Sequence, residues 1–215
     1  MINNNILTHL DSSKFLGVIL DDHLSFKPHI QYISTKIAKN LGILFKIKHL
    51  LPEHIRLNLY YSLIYPYLIY GNNVWGSNYP SRLQCLLILQ KRALRFVFNL
   101  PYRAHVTHLF QDKHILDIFE ISNYKTLCFM YKYFNNKLPP QFNDFFKPIL
   151  FNYSNKYRYS YQMPYCRTNF SKFSIIYTGP YHWNKLPVDL KLINSFELFK
   201  KKLKRYLLSN KIRDT

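Results

Sequence analysis

The start of the fold is decided by the stretch Lys14-Phe15-Leu16-Gly17-Val18-Ile19-Leu20-Asp21-Asp22-His23-Leu24-Ser25-Phe26-Lys27-Pro28-His29-Ile30. Its short apolar run is interrupted by Gly17 and closed by Asp21 and Asp22. This pattern predicts a brief strand entering a turn, with Gly17 where two backbones approach closely. Pro28 then suits the first turn of a helix. We therefore expect a β segment and turn over residues 1–26, followed by helices.

The residues after this turn predict an amphipathic helix over Pro28–Lys48. Apolar residues recur there at steps of three and four, namely Ile30, Ile33, Ile37, Leu41 and Leu44. The other positions carry cations and no acid: Lys36, Lys39, Lys46 and Lys48. This face is either a solvated surface or a surface that contacts a phosphate backbone.

Two further helices are predicted before Pro101. The segment Glu53–Tyr70 is apolar on most sides, so we expect the buried member of a bundle, kinked at Pro66. Its tyrosines are expected mostly in the core, and Trp75–Ser77 is expected as a loop. The segment Pro80–Asn99 is again amphipathic and has no acid on its polar side, which carries Lys91, Arg92 and Arg95. Lys91 and Arg95 lie one turn apart and can face the same row of phosphates.

The predicted fold class is mainly α. A three-helix bundle over residues 27–100 follows the β segment, and Pro101 marks the best boundary to a helical C-terminal domain over residues 101–215. That domain contains a helix over Ile121–Asn136. A last amphipathic, basic helix is expected with Ser195 as its N-cap.

The segment Phe151–Phe173 shows no helical period and is rich in tyrosine. It contains Arg158 and Arg167 and no acid. Such a composition is typical of a surface that follows a nucleic-acid backbone and stacks on its bases. It equally fits an extended arm whose tyrosines cover the helices, and the sequence leaves both interpretations open.

The charge balance favours a polyanionic partner. The 215 residues contain 30 Lys and Arg against 11 Asp and Glu, a net charge of +19. Between His23 and Gln111, Glu53 is the one acid, and none lies between Phe145 and Val188. Nucleic acid is the first candidate partner.

Three scattered cysteines suggest neither a disulfide framework nor a structural zinc site. The N-terminus lacks the features of a signal peptide, and no stretch is apolar enough to span a membrane. We expect an intracellular protein of the nucleus or cytoplasm. His105, His108 and His114 are spaced as metal ligands would be on a helix, but no fourth ligand lies nearby, so we expect polar or structural histidines and no metal site.

The order Lys-Phe-Leu-Gly-Val-x-Leu-Asp-x-x-Leu-x-Phe-x-x-His-Ile from Lys14 to Ile30 resembles the region after the catalytic palm in reverse transcriptases of non-long-terminal-repeat (jockey-like) retrotransposons. Later landmarks resemble the same family in the same order: the segments from Tyr60 to Gly71, Val74 to Gly76, Leu89 to Arg95 and Gly179 to Pro187. The resemblance covers roughly Lys14 to Leu208.

The resemblance implies roles for particular segments. Lys14, Phe15, Leu16 and Gly17 would form the primer grip, and residues 27–100 the thumb. Residues 101–215 would be the post-thumb region. Nucleic-acid contacts would come from Lys36, Lys39, Lys91, Arg92, Arg95, Arg158 and Arg167. The implied partners are the RNA template and RNA–DNA hybrid, together with the upstream palm domain.

No catalytic residue is expected. The family's polymerase site needs carboxylates that hold Mg²⁺ on a hairpin that precedes the Phe-Leu-Gly turn, whereas Asp21 and Asp22 follow it and read as turn and cap residues. Only thirteen residues precede Lys14. We therefore expect no cofactor in this chain, Mg²⁺ belonging to the intact parent enzyme, and a non-catalytic fragment that binds template and primer. The alternative is a helical interaction or structural module, or a degenerate remnant without activity. The sequence carries no signal for an oligomeric state.

Overall fold

The computed structural model describes residues 10–149 and 159–210, and these residues are mainly helical with one short two-stranded sheet at the N-terminal end. The predicted fold class is confirmed. The chain divides into two compact units. Unit 1 comprises the described residues within Met1–Tyr67 and Asn78–Asn99, and unit 2 those within Leu68–Ser77 and Leu100–Thr215. The domain boundaries predicted from sequence stay predictions.

The elements follow one another in a simple order. Strands β1 (Ser12–Phe15) and β2 (Val18–Asp21) come first. The helices are α1 (Lys27–Ile47), α2 (Glu53–Leu63), α3 (Tyr65–Ile69), α4 (Asn72–Trp75), α5 (Pro80–Val97), α6 (Thr107–Asp112), α7 (Ile118–Phe134), α8 (Asn169–Lys172), α9 (Ile175–Asn184), α10 (Val188–Lys191) and α11 (Phe196–Ser209).

The two strands of unit 1 form a hairpin around a two-residue turn. They pair antiparallel, with Phe15 opposite Val18. Leu16 and Gly17 lie in the turn with φ values of 44° and 84°, a left-handed conformation that glycine adopts without strain and that tight hairpins favour. The apolar run predicted as one strand is therefore folded back on itself at Gly17.

The core of unit 1 lies between α1 and α5, which are the most extensively packed pair of helices in that unit. The side chains that α1 buries are mostly those predicted from its period: His29, Ile30, Ile33, Ile37, Leu41 and Leu44. Of the apolar residues predicted to be buried over Glu53–Tyr70, Ile64 and Leu68 are buried. The other predicted core residues are only half-buried, namely Ile55, Leu57, Leu59 and Leu63, so the segment is buried less completely than predicted. Its apolar residues are spread around the helix, so no period selects the side that packs.

The segment predicted to kink at Pro66 is broken there into α2 and α3.

Arg56 of α2 connects three helices of unit 1 through hydrogen bonds. Its guanidinium donates to the carbonyls of Val97, at 2.6 Å, and of Lys48, at 2.8 Å. These carbonyls lie at the ends of α5 and α1, where backbone acceptors have no partner within their own helix. One cation therefore closes two helix ends.

Unit 2 is built around α7, against which α4, α9 and α11 all pack. Asp117 caps α7 by accepting from the backbone of Phe119 and Glu120, and Ser195 caps α11 as predicted. Trp75, predicted in a loop, instead ends the short helix α4 and is fully buried. Among the described residues, no helix is both long and apolar enough to cross a membrane.

Candidate nucleic-acid interface

The hairpin is fixed to the start of α1 by two polar side chains. The Asp21 carboxylate accepts from the backbone N–H groups of Ser25, at 2.9 Å, and Phe26, at 2.7 Å. Partial burial alone would raise the pKa of Asp21, but the hydrogen bonds from Ser25 and Phe26 outweigh it and lower this pKa. His29 Nδ1 accepts from the N–H of Ile19 at 3.2 Å. Asp21 therefore holds a turn, as its position in the sequence predicted.

This attachment brings two predicted site residues from different segments to one aromatic ring. Lys14 Nζ of β1 lies 5.2 Å from the ring centre of Tyr32, and Lys36 Nζ lies 5.5 Å from it. His29 stacks on the same ring at 6.4 Å. Burial, with Lys14 as a smaller contributor, lowers the pKa of His29, so the imidazole is neutral at pH 7. We call Lys14, Tyr32 and Lys36 the hairpin–α1 cluster.

The cluster continues along α1 as a stripe. Tyr32, Lys36, Lys39 and Ile43 are spaced by four, three and four residues, so they lie on one side of the helix. Lys39 and Ile43 are exposed. No acid occurs in α1. These four residues form a cationic and aromatic track on α1, a helix that carries no negative charge. We call it the α1 track.

The other predicted cations of unit 1 lie on α5. Lys91 and Arg95 are separated by four residues and Arg92 follows Lys91, so all three share the side of α5 that does not carry its buried residues. Arg92 is exposed, whereas Lys91 and Arg95 are half-buried. The residues on this side come from one continuous helix, which fixes their spacing.

The contact between α1 and α5 locates the predicted cations around each helix. The two helices meet where Ser34 Oγ lies 3.5 Å from Cys85 Sγ and the Phe45 and Phe96 rings lie 5.3 Å apart. At about 100° per residue, Lys39 is roughly 120–140° around α1 from its two contact residues, and Lys91 is separated by roughly the same angle from those of α5. Arg92, in contrast, lies within roughly 20–40° of the contact residues of α5. The α5 cations therefore do not all face away from α1.

Two predicted cations fall later in the chain. Arg167 is exposed in unit 2, near Tyr165, whose side chain is 93% exposed. Arg158 lies outside the described residues.

The described part of the predicted aromatic arm is attached to α9. Trp183 Nε1 donates to the Tyr159 carbonyl at 3.0 Å. The side-chain amide of Asn184 bonds to both backbone groups of Tyr161. Tyr161 is buried, whereas Tyr165 is not. The arm thus contains a packed part and an exposed part, so each of the two interpretations left open by the sequence fits a different section of it.

The tyrosines of α2 and α3 are mostly packing residues, as predicted. Tyr60 is fully buried, and its hydroxyl accepts from Gln90 Nε2 at 2.8 Å. Tyr61, Tyr65 and Tyr67 are half-buried. Tyr70 is the exposed exception.

Sequence reasoning missed Tyr32, the ring at the centre of the hairpin–α1 cluster. The available signal was its position four residues before Lys36, one helical turn away. Its approach to Lys14 depends on the hairpin and could not be read from spacing.

Metal ligands and cysteines add no further site in the parts of the chain that the structure describes. No group of three or more His, Cys, Asp or Glu side chains there is arranged to hold a metal ion. His105, His108 and His114 are included in that search. The three cysteines are unpaired.

Comparison with known proteins gives one consistent relationship. No protein-family model and no solved structure matches the chain. The RNA-directed DNA polymerase of the Drosophila melanogaster mobile element jockey is 30% identical over 115 residues, which is 52% of this chain and 12% of the relative. The probable RNA-directed DNA polymerase of transposon BS from the same organism is 28% identical over 110 residues, 50% of this chain and 12% of the relative.

A third relative agrees with these two. The probable RNA-directed DNA polymerase of the D. melanogaster X-element is 26% identical over 117 residues, 53% of this chain and 13% of the relative. The matches thus cover only a small part of each polymerase. The resemblance found from the sequence motifs is confirmed: over about half of its length, this chain is similar to the RNA-directed DNA polymerases of non-long-terminal-repeat retrotransposons.

Proposed function

We propose that this chain is a non-catalytic, C-terminal part of a retrotransposon RNA-directed DNA polymerase that grips template and primer. The hairpin–α1 cluster is the observation that carries the proposal. Two cations from separate segments, Lys14 and Lys36, converge on the Tyr32 ring. The similarity to three retrotransposon polymerases supports a nucleic-acid partner.

The cluster suits a phosphate backbone. The Tyr32 ring attracts both ammonium groups through its π electrons, so two like charges lie within 5.5 Å of one ring centre, and the ring belongs to a helix that contains no acid. Lys39 extends the same track by about 4.5 Å along the helix axis. Lysine binds phosphate as a point charge and reads no base. Binding through this track is therefore independent of sequence.

The α5 cations form a second contact in this proposal. Lys91, Arg92 and Arg95 belong to a separate helix, so they would extend the contact beyond the α1 track. Arg167 of unit 2 would add a contact beside the exposed Tyr165. Their contributions are separable by mutation, since each set belongs to a different element.

The polymerase chemistry would come from the palm of the parent enzyme. The carboxylate of Asp21 is already occupied by the backbone of Ser25 and Phe26, which suits a structural role better than holding Mg²⁺. Asp22 bonds to the backbone of its neighbour His23. The palm domain is also the proposed protein partner of the hairpin, whose Phe15 and Leu16 are exposed.

Those exposed apolar side chains favour a second candidate function, a module that binds protein rather than nucleic acid. The two functions are distinguished by measuring the fluorescence anisotropy of a labelled RNA–DNA hybrid bound to the chain. The bound hybrid is then displaced either with heparin or with unlabelled hybrid, each added at the same total concentration of negative charge. The polymerase-fragment proposal requires the hybrid to compete better than heparin. Equal competition, or no binding at low salt, would leave the protein-binding module as the better explanation.

A further inference from the structure

Unit 2 contains a cleft at the C-terminal end of α7 that the proposed backbone contacts do not use. Its volume is about 640 Å³, within the roughly 300–1,000 Å³ typical of small-ligand sites. Aromatic rings and side-chain amides line it, among them Tyr133, Phe134, Asn136, Asn143, Phe146 and Tyr161.

The walls of this cleft are held in place before any ligand binds. The Tyr133 hydroxyl donates to the Asn143 carbonyl at 2.7 Å, and the Tyr133 and Phe146 rings meet edge to face at 4.7 Å. The backbone of Tyr161 is fixed by the Asn184 amide. Such a site loses little conformational freedom when a flat ligand enters, which favours binding.

The cleft also presents polar side chains that the described residues leave available to a ligand. The side-chain amides of Asn136 and Asn143 are exposed, and neither makes a hydrogen bond within the described residues. An amide offers both donors and acceptors. The edge of a nucleobase offers the same mixture, and its face stacks on aromatic rings.

The charge of the neighbouring residues favours one class of ligand. Lys147 follows the lining residue Phe146 and is exposed, and no acid occurs between Phe145 and Val188. One exposed acid, Asp144, follows Asn143. The positive balance suits the phosphates that flank a base, whereas a proline-rich peptide, the other common occupant of aromatic clefts, carries no such phosphates. We therefore propose that this cleft binds one unpaired nucleotide of a single-stranded template overhang.

This inference rests on the proposed binding of nucleic acid and adds a site to it. The full chain is titrated with a blunt RNA–DNA hybrid and with the same hybrid carrying a single-stranded RNA overhang that contains 2-aminopurine. Stacking in the cleft is expected to quench 2-aminopurine and to tighten binding of the overhang by roughly fivefold or more, given the usual strength of base–aromatic stacking.

Two variants locate the effect. Asn136→Gly with Asn143→Ala removes both amides, and glycine keeps the positive φ of 51° at residue 136. Leu138→Trp places a bulky indole at a residue that lines the cleft, so that it fills the space a base would occupy. Both are expected to abolish the overhang gain and the quenching, while the affinity for the blunt hybrid stays unchanged.

The outcomes separate this inference from the proposed function. Equal affinity for blunt and overhang hybrids would overturn the cleft proposal and leave the proposed function intact. Binding of a labelled proline-rich peptide that is lost in Leu138→Trp, together with no response to the overhang, would assign the cleft to peptides instead. Absence of binding to both hybrids would overturn the proposed function and this inference together.

Discussion

The side-chain amide of Asn184 pairs with the backbone of Tyr161 in both directions: Oδ1 accepts from the Tyr161 N–H at 2.9 Å, and Nδ2 donates to its carbonyl at 2.8 Å. One side chain thus does what a neighbouring strand would do for an extended residue. Asn184 ends α9, so the pair attaches the arm to a helix that packs on α7. The Gly179-to-Pro187 segment, which resembles the retrotransposon family in sequence, therefore has a structural role in unit 2.

Removing this pair should destabilise unit 2. Asn184→Leu keeps the volume but leaves the N–H and carbonyl of Tyr161 without partners, at a cost of about 2–3 kcal/mol in the free energy of unfolding. Both tryptophans of the chain lie in unit 2, so tryptophan fluorescence during urea unfolding measures this unit. The matched control is Asn194→Leu at an exposed position, which should change stability by less than about 0.5 kcal/mol.

The salt dependence of binding should identify the nucleic-acid surface. If about five phosphates are neutralised, the logarithm of affinity should fall with the logarithm of salt with a slope of about −4. Replacing Lys14, Lys36 and Lys39 with Gln should make the slope less steep by about 2–3, as fewer counterions are released. The change in slope should be equal for a second hybrid of unrelated sequence, since phosphate contacts carry no base information.

Two matched triple variants complete that experiment. Replacing Lys91, Arg92 and Arg95 with Gln should also reduce the slope, since these cations lie on a separate helix and would release further counterions. Replacing Lys201, Lys202 and Arg205 of α11 with Gln removes the same charge and should matter less. An α11 variant that reduces the slope as much as the α1 variant would mean that net charge, rather than the hairpin–α1 cluster, determines binding.

Asp21 should prove structural. Asp21→Ala removes the acceptor for the N–H groups of Ser25 and Phe26 and should lower the free energy of unfolding of unit 1 by about 1–2 kcal/mol. Since the folded-state pKa of Asp21 is lowered, its contribution is present above the unfolded value and is lost as pH falls through the folded one. Circular dichroism during urea unfolding, at neutral and acidic pH, measures both effects.

A double variant, Asp21→Ala with Asp22→Ala, tests whether these carboxylates take part in polymerase chemistry. The chain should extend no primer on an RNA template with Mg²⁺ or Mn²⁺, with or without Asp21→Ala and Asp22→Ala. The assay is single-nucleotide resolution electrophoresis of a labelled primer. Template-dependent extension that disappears in the double variant would show that these carboxylates are catalytic after all.

Lys191 should make the stability of unit 2 depend on pH. Its side chain is 2% exposed, with Nζ 5.9 Å from the Trp183 ring centre, and burial lowers its pKa to about 8. The unfolded chain keeps this proton up to about pH 10.5, so unfolding takes up a proton between these values and stability rises with pH there. Below pH 8 the buried charge is destabilising.

Burial raises the pKa of Cys128 to about 11, so the contribution of this thiol to the stability of unit 2 falls with pH above 9. Cys128 is present in both the wild type and Lys191→Met, so the difference between these two proteins isolates the effect of Lys191. The variant should gain most over the wild type at pH 7, and the difference in unfolding free energy should shrink by roughly 1–3 kcal/mol towards pH 10. Lys201→Met, at an exposed position, should show no such change. A difference for Lys191→Met that is constant with pH would refute the assignment.

Local patterns predicted the long helices well. The apolar period gave α1, α5 and α7 to within a few residues, and Ser195 was predicted as the cap that it forms, because both signals depend on neighbours within one or two turns. The side of α2 that packs was not predictable, because its apolar residues surround the helix. The loop predicted for Trp75 is wrong, because the burial of this residue depends on α7, which lies far away in sequence.

In the candidate site, too, local spacing was predictable from the sequence and tertiary contacts were not. Lys36 and Lys39 were predicted on one polar face from spacing alone, and their helix presents them so. The convergence of Lys14 with Lys36 on Tyr32 required the hairpin turn at Gly17, a tertiary relationship. The position of the α5 cations relative to α1 likewise depends on which side of each helix forms the contact, which composition does not encode.

The residues Leu68–Ser77, which belong to unit 2 although unit 1 flanks them on both sides, have a consequence for synthesis. During translation Trp75 leaves the ribosome roughly 60 residues before α7, its packing partner, is complete. At about 5–20 residues per second, that is on the order of 3–12 s. Throughout this interval, a large indole has no native place to be buried, and the nascent chain at this point is a natural target for a chaperone that recognises exposed apolar surface.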